Sequence, residues 1–291
     1  MTAEMVLDPP FRPARGASDA ACLPPPVTRL SRSCWRGRIV TGGDRALPEE
    51  IPVALTYNGS SQAVMMATPA DLEDFALGFS LTEGLVRAAS QIESLDVIPG
   101  EFGIELRMFL SRPQAERLQT RRRIKAGPTG CGLCGIESLA EATPPLRPVE
   151  SQLRIGADVI RGALETFGLK QQLNRQAHAL HAAAFWQPGG DLVLREDVSR
   201  HNALDKLAGA LARAEIAAKD GFVLLSSRVS VELVQKAAAM GTPILIALSA
   251  PTALAARACA AAKLTLVAIA REDSFEVFTH PERICGTSSW R

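Results

Sequence analysis

The sequence lacks the features that mark membrane, disulfide-rich and nucleic-acid-binding proteins. No apolar run in its 291 residues reaches the roughly 18 needed to span a bilayer, and no charged-then-apolar signal segment opens the chain. Lys plus Arg number 32 and Asp plus Glu 31, so we expect neither a nucleic acid nor a membrane surface as a partner. Six cysteines in so long a chain do not form a disulfide framework. These features predict a globular protein of the reducing cytoplasm.

Two of the cysteines stand together in a glycine-rich stretch, Thr129–Gly135, as Cys131 and Cys134. A structural zinc site needs four ligands, and no second Cys-x-x-Cys or finger-spaced histidine pair supplies the other two. A thioredoxin-type pair is expected between a strand and a helix, whereas this one follows the basic residues 121–125 and Gly127-Pro128. The third chemistry is sulfur carried as a persulfide, which requires a nucleophilic thiolate. The residues alone leave all three open.

The first half of the chain predicts an arm, a small domain and a loop. Residues 1–35 are rich in proline without an apolar period, which predicts a disordered arm. Residues 36–115 predict a small α+β domain with a β-hairpin at Asn58-Gly59. We expect a helix to follow, with Thr68 as its N-cap, because Pro69 suits the first helical position. Residues 116–150 form a basic segment and a mobile Cys-x-x-Cys loop.

Residues 151–291 alternate strands with helices, which predicts an α/β domain with a mostly parallel sheet. Ligands of open α/β sheets bind at the carboxyl ends of the strands. Ser226-Ser227-Arg228 follows one apolar strand there. The run Arg195–Asn202 precedes a helix and holds four charged residues and a histidine within seven positions, so we expect a binding or catalytic role for it. The alternative is a surface turn with Asn202 as an N-cap.

Six stretches of the chain resemble the formate dehydrogenase accessory sulfurtransferases of the FdhD type. They are TGCGLCG (129–135), HAAAF (181–185), REDVSRHNALDKL (195–207), SSRVSVELVQKAA (226–238), GTPILIALSAPT (241–252) and FEVFTHPERI (275–284). Residues 49–84 resemble the N-terminal unit of that family. The resemblance covers about residues 36–284, in order as well as in content.

The resemblance implies a cytoplasmic sulfurtransferase that takes persulfide sulfur from a cysteine desulfurase. The sulfur would pass to the molybdenum of the bis(molybdopterin guanine dinucleotide) cofactor, a client that formate dehydrogenase requires. Cys131 matches the cysteine that bears the persulfide, and Cys134 matches its partner. Phe275, Glu276, Val277, Phe278, Thr279 and His280 match the segment assigned to cofactor contact. By position we add Arg200, His201, Asn202 and Arg228 as candidates for the guanine-dinucleotide phosphates.

The family's larger domain resembles the cytidine-deaminase-like fold, so we expect three layers, α/β/α, in residues 151–291. Deaminase chemistry is not expected, because His181 lacks the glutamate two residues further on. One stretch and two single residues depart from the family pattern: residues 178–180 before His181, Ser199 and Ser227 stand where glycine is common. We expect no permanent metal, and a homodimer as the oligomeric state. A cofactor-binding chaperone and a zinc-stabilised interaction module are the alternative functions.

Overall fold

The computed structural model describes residues 23–124 and 145–286 and begins with a long hairpin. Strand β1 (Val27–Arg36) pairs antiparallel with β2 (Ile39–Pro48) along its whole length. Gly37 closes the turn with φ at 61°, a backbone conformation that glycine adopts at little cost.

This hairpin corrects the prediction of a disordered arm over residues 1–35. The prediction is wrong for residues 27–35, which lie in β1. The three prolines at 24–26 precede β1, so they do not interrupt its hydrogen-bonded ladder. Residues 1–22 lie outside the described part of the chain.

A four-stranded sheet follows, with strand order β4-β3-β6-β5. Its strands are β3 (Ile51–Tyr57), β4 (Ser60–Ala67), β5 (Ile92–Gly100) and β6 (Gly103–Leu110). The predicted Asn58-Gly59 hairpin is confirmed, and both residues take positive φ values of 49° and 78°. One face of the sheet packs against helix α1 (Leu72–Thr82), and α2 (Arg112–Ile124) follows β6.

Helix α1 begins later than its sequence predicts. The predicted N-cap Thr68 lies outside the helix, and Asp71 precedes the first turn with φ at 52° and no side-chain cap. The Thr68 hydroxyl instead accepts a hydrogen bond from the amide of Val198, at 3.1 Å. A long-range contact has therefore taken the side chain that local capping rules assign to the helix.

The larger sheet has strand order β13-β12-β11-β10-β8-β9. Its strands are β8 (His181–Trp186), β9 (Val193–Asp197), β10 (Phe222–Leu225), β11 (Ile244–Ala247), β12 (Thr265–Ala268) and β13 (Glu276–Thr279). The central strands β10, β11 and β12 are parallel, and β8 and β13 pair antiparallel to their neighbours. A two-residue ladder, β7 (Ile155–Gly156) with β14 (Ile284–Cys285), lies beside this sheet.

Helices cover both faces of the larger sheet. They are α3 (Ala157–Lys170), α4 (Gln172–Ala177), α5 (Arg200–Arg213), α6 (Val231–Met240) and α7 (Ala253–Ala261). Apolar residues of α5, α6 and α7 pack with one face of the sheet, and those of α3 pack with the other. The α/β class is confirmed, but the prediction of a mostly parallel sheet is wrong, because three of the five strand pairs in this sheet are antiparallel. The likeness to the cytidine-deaminase-like fold and the domain boundaries stay predictions.

Helices α1 and α5 join the two sheets by packing backbone against backbone. A Cβ atom at Gly78 would overlap the carbonyl oxygen of Asp205, and one at Gly209 would overlap that of Asp74. Only glycine permits this approach, so these two positions set the distance between the helices. The crossing fixes the start of α5 relative to the small sheet.

Candidate functional site

The candidate site lies along the carboxyl edge of the larger sheet. The parallel strands β10, β11 and β12 end at this edge, as does β9. Strand β8 runs the other way, so His181 at its start lies at the same edge, opposite Asp197. Helix α5 begins immediately after β9 and points its amino-terminal amides towards the edge, where an anion is favoured.

One part of the run Arg195–Asn202 holds the two sheets together. Asp197 and Asn202 are fully buried. The Asp197 carboxylate accepts from the amide of Thr68 at 3.0 Å and pairs with Lys206 at 2.7 Å. The amide group of Asn202 donates to the carbonyl of Met66 at 2.8 Å and to Asp197 at 3.0 Å. The observed contacts of the Asn202 nitrogen are thus structural, whereas its Oδ1 is buried without a partner in the described residues, and its predicted ligand role stays untested.

Arg195, the first residue of the run, also helps to hold the two sheets together. Its guanidinium binds the buried carboxylate of Asp74 at 2.8 Å, and Arg213 binds the other oxygen of Asp74 at 2.8 Å. Asp74 lies on α1 and Arg213 on α5, so this cluster ties the two helices together. A buried carboxylate with two guanidinium partners has the pairing that burial of a charge demands.

The other part of the run, Arg200 and His201, leaves polar atoms without a partner. Within the described residues, Arg200 Nε and His201 Nε2 are buried and have no hydrogen-bond partner. Buried polar atoms in native proteins are nearly always paired, so these two indicate a ligand or ordered water at this place. The predicted site residues Arg200 and His201 are therefore neighbours at the first turn of α5.

Burial and the nearby cations keep the histidines at this edge neutral. Burial, then the charges of Arg200 and Lys236, lower the pKa of His201 to about 4. Burial and Arg200 also lower the pKa of His181. Both rings are thus neutral at physiological pH, and each offers one donor and one acceptor nitrogen. Positive charge at this end of the edge comes from Arg200.

A buried ion pair between Asp205 and Lys236 links helix α5 to its neighbours. Lys236 on α6 contacts both oxygens of Asp205 at 2.9 and 3.0 Å and pairs with Glu83 at 2.7 Å. Thr82 donates to the same Asp205 carboxylate at 2.6 Å. Burial raises the pKa of Asp205 to about 6, and Lys236 opposes that rise. The pair remains charged at neutral pH and holds α6 to α5 and to the end of α1.

The Ser226-Ser227-Arg228 segment follows β10, as predicted. Ser226 accepts a hydrogen bond from the amide of Ala182 at 2.8 Å and so joins the ends of β10 and β8. Ser227 is buried, whereas Arg228 is exposed. The structure therefore places the Arg228 guanidinium on the same edge as Arg200, two strands further along the sheet.

The predicted cofactor segment Phe275–His280 is divided between two edges. Glu276 pairs with Ala268 at the end of β12, so Phe275 and Glu276 lie at the carboxyl edge. Further along β13, Val277 and Phe278 run down the outermost strand, and 43% of Phe278 is exposed.

The last two residues of the segment lie at the opposite edge. Thr279 donates to the carbonyl of Leu264 at 2.6 Å, and the His280 ring lies 3.0 Å from the carbonyl oxygen of Ala260. His280 also has φ at 47°, a left-handed conformation. The structure therefore brings Phe275 and Glu276, but not Thr279 and His280, to the edge that holds Arg200 and Arg228.

Cys131 and Cys134 lie outside the described residues, so their surroundings stay a prediction. Cys34, Cys259 and Cys285 are unbridged. Burial raises the pKa of the Cys259 thiol to about 12, which makes it an unreactive core residue. In residues 23–124 and 145–286, no three histidine, cysteine or acidic side chains group as metal ligands. Within those ranges, too, no helix combines the length and apolarity that crossing a membrane requires.

Sequence reasoning missed the buried charges on α5 and α6. Lys206 lies between the buried Leu204 and Leu207, and Lys236 lies in the turn that carries the buried Leu233. A lysine inside an apolar helical face was the signal, because a buried lysine requires a carboxylate partner. The sequence does not identify that partner, since Asp197 and Glu83 come from other elements.

The fold and the candidate site define an α/β protein with two arginines, Arg200 and Arg228, at the carboxyl edge of its larger sheet. The FdhD/NarQ family profile matches residues 48–285, so the chain belongs to the FdhD/NarQ family. A protein from Agrobacterium fabrum named Sulfur carrier protein FdhD is 49% identical over 260 residues, covering 88% of this chain and 95% of the relative. One of the same name from Brucella abortus is 52% identical, covering 82% of this chain and 90% of the relative.

The fold also matches a solved structure. A crystal structure from Desulfotalea psychrophila, described as a formate dehydrogenase accessory protein, superposes with a TM-score of 0.71. It covers 90% of this chain and all of that chain, at 24% sequence identity. This likeness supports the mixed α/β architecture.

Proposed function

We propose that this chain is a sulfur carrier that serves formate dehydrogenase. The observation that carries the proposal is identity of about half along nearly the whole length of relatives named Sulfur carrier protein FdhD. The likeness to a structure described as a formate dehydrogenase accessory protein agrees with it. The finer steps below, with Cys131 and Cys134 as the reacting residues, follow from the sequence pattern.

In the loading step, the Cys131 thiolate attacks the outer sulfur of a persulfide on a cysteine desulfurase. The sulfur–sulfur bond of the donor breaks, and the donor cysteine leaves as a thiolate. Cys131 then carries the outer sulfur as its own persulfide, with no net change in oxidation state. A thiolate is required because the neutral thiol is a poor nucleophile.

In the delivery step, the Cys134 thiolate attacks the Cys131 sulfur. The products are a Cys131–Cys134 disulfide and one hydrosulfide, which becomes a ligand of molybdenum in the client cofactor. The two electrons come from the dithiol, so a cellular thiol reductant must reduce the disulfide before the next cycle. We propose the reducing cytoplasm as the setting, and the unbridged Cys34, Cys259 and Cys285 fit it.

The carboxyl edge would hold the cofactor as a substrate. Neighbouring strands lie about 4.8 Å apart, so the five steps from β9 to β13 separate Arg200 from Phe275 by about 24 Å. That span suits an extended ligand with two guanine-dinucleotide arms better than a single nucleotide. Arg200 and Arg228 would pair with phosphate oxygens, and His201 would donate a hydrogen bond.

The decisive experiment is intact-mass analysis after incubation with a cysteine desulfurase and cysteine. We expect one added sulfur atom in the unmodified protein and none in Cys131→Ala. Cys134→Ala should load sulfur but release it slowly, because the attacking thiol is missing. A Cys131→Ala protein that restores formate dehydrogenase activity in cells lacking the accessory protein would refute the assigned role.

A further inference from the structure

The hairpin of β1 and β2, which we call the arm, takes no part in the chemistry above, and most of its residues are exposed. Beyond its base, its residues are exposed except for Cys34 and Ala46. Helix α4 lies beside β2. A ribbon of two ten-residue strands at about 3.3 Å per residue reaches about 30 Å.

One face of this ribbon combines arginine with apolar side chains. The cross-strand pairs Arg36 with Ile39, Arg32 with Gly43, and Leu30 with Arg45 share this face, because successive side chains in a strand alternate. We call this set the arm face: Leu30, Arg32, Arg36, Ile39, Arg45 and Leu47. Its Leu30 is 53% exposed and its Ile39 is 66% exposed.

The opposite face also exposes an apolar anchor at the tip. Trp35 and Val40 form a cross-strand pair there, and Trp35 is 71% exposed. Exposed tryptophan and arginine beside aliphatic residues are the composition of protein-interface hot spots. A side chain as large as Trp35 gains most from a pocket in a partner.

The charge of the ribbon identifies the chemistry of that partner. Residues 27–48 contain five arginines and one aspartate, whereas the whole chain has a net charge of only +1. Two ribbons of this charge would repel one another, which disfavours direct pairing of the arms of two copies. The exposed aliphatic residues favour a protein over a nucleic acid, because a phosphate backbone offers them nothing to bind.

The ribbon is also connected to the candidate site. Leu173 and Asn174 of α4, the helix beside β2, donate backbone hydrogen bonds to Glu196 of β9 at 2.9 and 2.7 Å. The Asn174 side chain accepts from the amide of Leu180, the residue before His181, at 3.1 Å. The helix that contacts the ribbon therefore also contacts the β8–β9 end of the larger sheet.

We propose that the arm docks the sulfur donor, a protein with an acidic cleft that receives both faces of the ribbon and contains an apolar pocket for Trp35. This inference rests on the proposed function, in which loading requires contact with a protein while delivery requires a small-molecule cofactor. Arginines on the arm speed a transient encounter with an acidic surface and make it sensitive to salt.

The test compares two ways of loading sulfur onto Cys131. One uses a purified cysteine desulfurase with cysteine, and the other uses inorganic polysulfide, which needs no docking. We expect the double variant Arg32→Glu/Arg36→Glu, and separately Trp35→Ala, to slow loading by the desulfurase about tenfold or more. Loading by polysulfide should stay within about twofold of the unmodified protein, a margin equivalent to about 0.4 kcal/mol.

The matched control is Arg257→Glu, which reverses an exposed arginine on α7 away from the arm. It should leave both rates within about twofold, again near 0.4 kcal/mol. In the unmodified protein, loading by the desulfurase should slow as salt rises from about 0.05 to about 0.5 M, because screening shortens the reach of the arginines. Circular dichroism of each variant reports whether it is folded.

The outcomes separate the arm from the proposed function. If neither donor loads the unmodified protein, the proposed function is wrong and the arm inference falls with it. If polysulfide loads Cys131 and the arm variants accept sulfur from the desulfurase at the normal rate, only the arm inference is overturned. It is also overturned if the variants convert a dimer to a monomer without slowing the desulfurase, or if the unmodified arm binds labelled RNA at physiological salt.

Discussion

The two parts of the run Arg195–Asn202 use the same kinds of residue for different purposes. Asp197 and Asn202 are fully buried, and their contacts lead to the small sheet. Arg200 and His201, one turn of helix away or less, have buried nitrogens without partners in the described chain. Asn202 belongs to both groups, because its Oδ1 is also buried without a partner. We interpret the unpaired atoms of Arg200, His201 and Asn202 as a place where a ligand or ordered water binds.

The comparison predicts the largest loss of stability at Asp197. Asp197→Ala would leave the Lys206 ammonium buried without its carboxylate, so we expect unfolding free energy to fall by about 3–5 kcal/mol. Urea denaturation followed by circular dichroism measures this loss. The double variant Asp197→Asn/Lys206→Met removes both charges and should recover part of it. A stable Asp197→Ala protein would show that Lys206 finds another partner.

The next largest effect is expected where α1 and α5 cross. Gly209→Ala places a methyl group against the backbone of Asp74, so overpacking should destabilise the protein by about 1–3 kcal/mol. Gly162→Ala is the matched control, because Gly162 also lies in a helix but a Cβ there meets nothing within 4 Å. The control should be neutral or stabilising by up to about 1 kcal/mol. Equal melting temperatures for the two variants would mean that the helices separate easily.

The glycine pair and the hairpin show how far the sequence could predict this structure. The short continuous apolar runs between residues 181 and 268 predict the buried strands, because a buried parallel strand is apolar throughout. Nothing local to Gly209 indicates that another helix will lie against it. The same applies to Thr68: its sequence suits an N-cap, but a long-range hydrogen bond with Val198 is made instead.

The candidate site was predictable in position more than in composition. Arg200, His201 and Arg228 were identified because each follows a strand that ends at the carboxyl edge, and topology alone brings such residues together. Asn202 follows β9, as Arg200 and His201 do, but its position on helix α5 directs its side-chain amide to the carbonyl of Met66. The sequence predicts residues 275–280 as one cofactor segment, but β13 runs across the sheet, so the two ends of the segment lie at opposite edges.

In contrast to Asp197→Ala, Arg200→Ala should weaken ligand binding without lowering the free energy of unfolding. Guanosine diphosphate is a suitable probe, because it contains the guanine and phosphates of the client cofactor. We expect its affinity to fall about tenfold, or about 1.4 kcal/mol, while the free energy of unfolding changes by less than about 0.5 kcal/mol. Isothermal titration calorimetry measures the affinity, with the exposed Arg161→Ala on α3 as control. A large loss of stability in Arg200→Ala would place this residue with Asp197 in the scaffold.

The smallest expected effect is the pH response of His201, which burial gives a pKa of about 4. An unfolded histidine titrates near 6.5, so the unfolded chain takes up the proton first as pH falls. The contribution of neutral His201 to the free energy of unfolding is therefore complete above pH 6.5 and is lost as the pH falls from about 6.5 to about 4. Arg200 and Lys236 oppose protonation, whereas Glu232 and Glu83 favour it, and His201 is partly exposed.

We therefore expect the unmodified protein to lose about 1–2 kcal/mol from this group between pH 7 and pH 5. His201→Gln should lack that loss, so the difference between their urea midpoints should narrow or reverse at pH 5. Asp205 has a raised pKa and acts in the opposite direction, but it is common to both proteins and cancels from the comparison. Guanosine diphosphate at saturation should protect the unmodified protein if His201 donates to it. Parallel pH profiles for the two proteins would show that the His201 ring is solvated. His201 would then no longer be assigned to ligand binding.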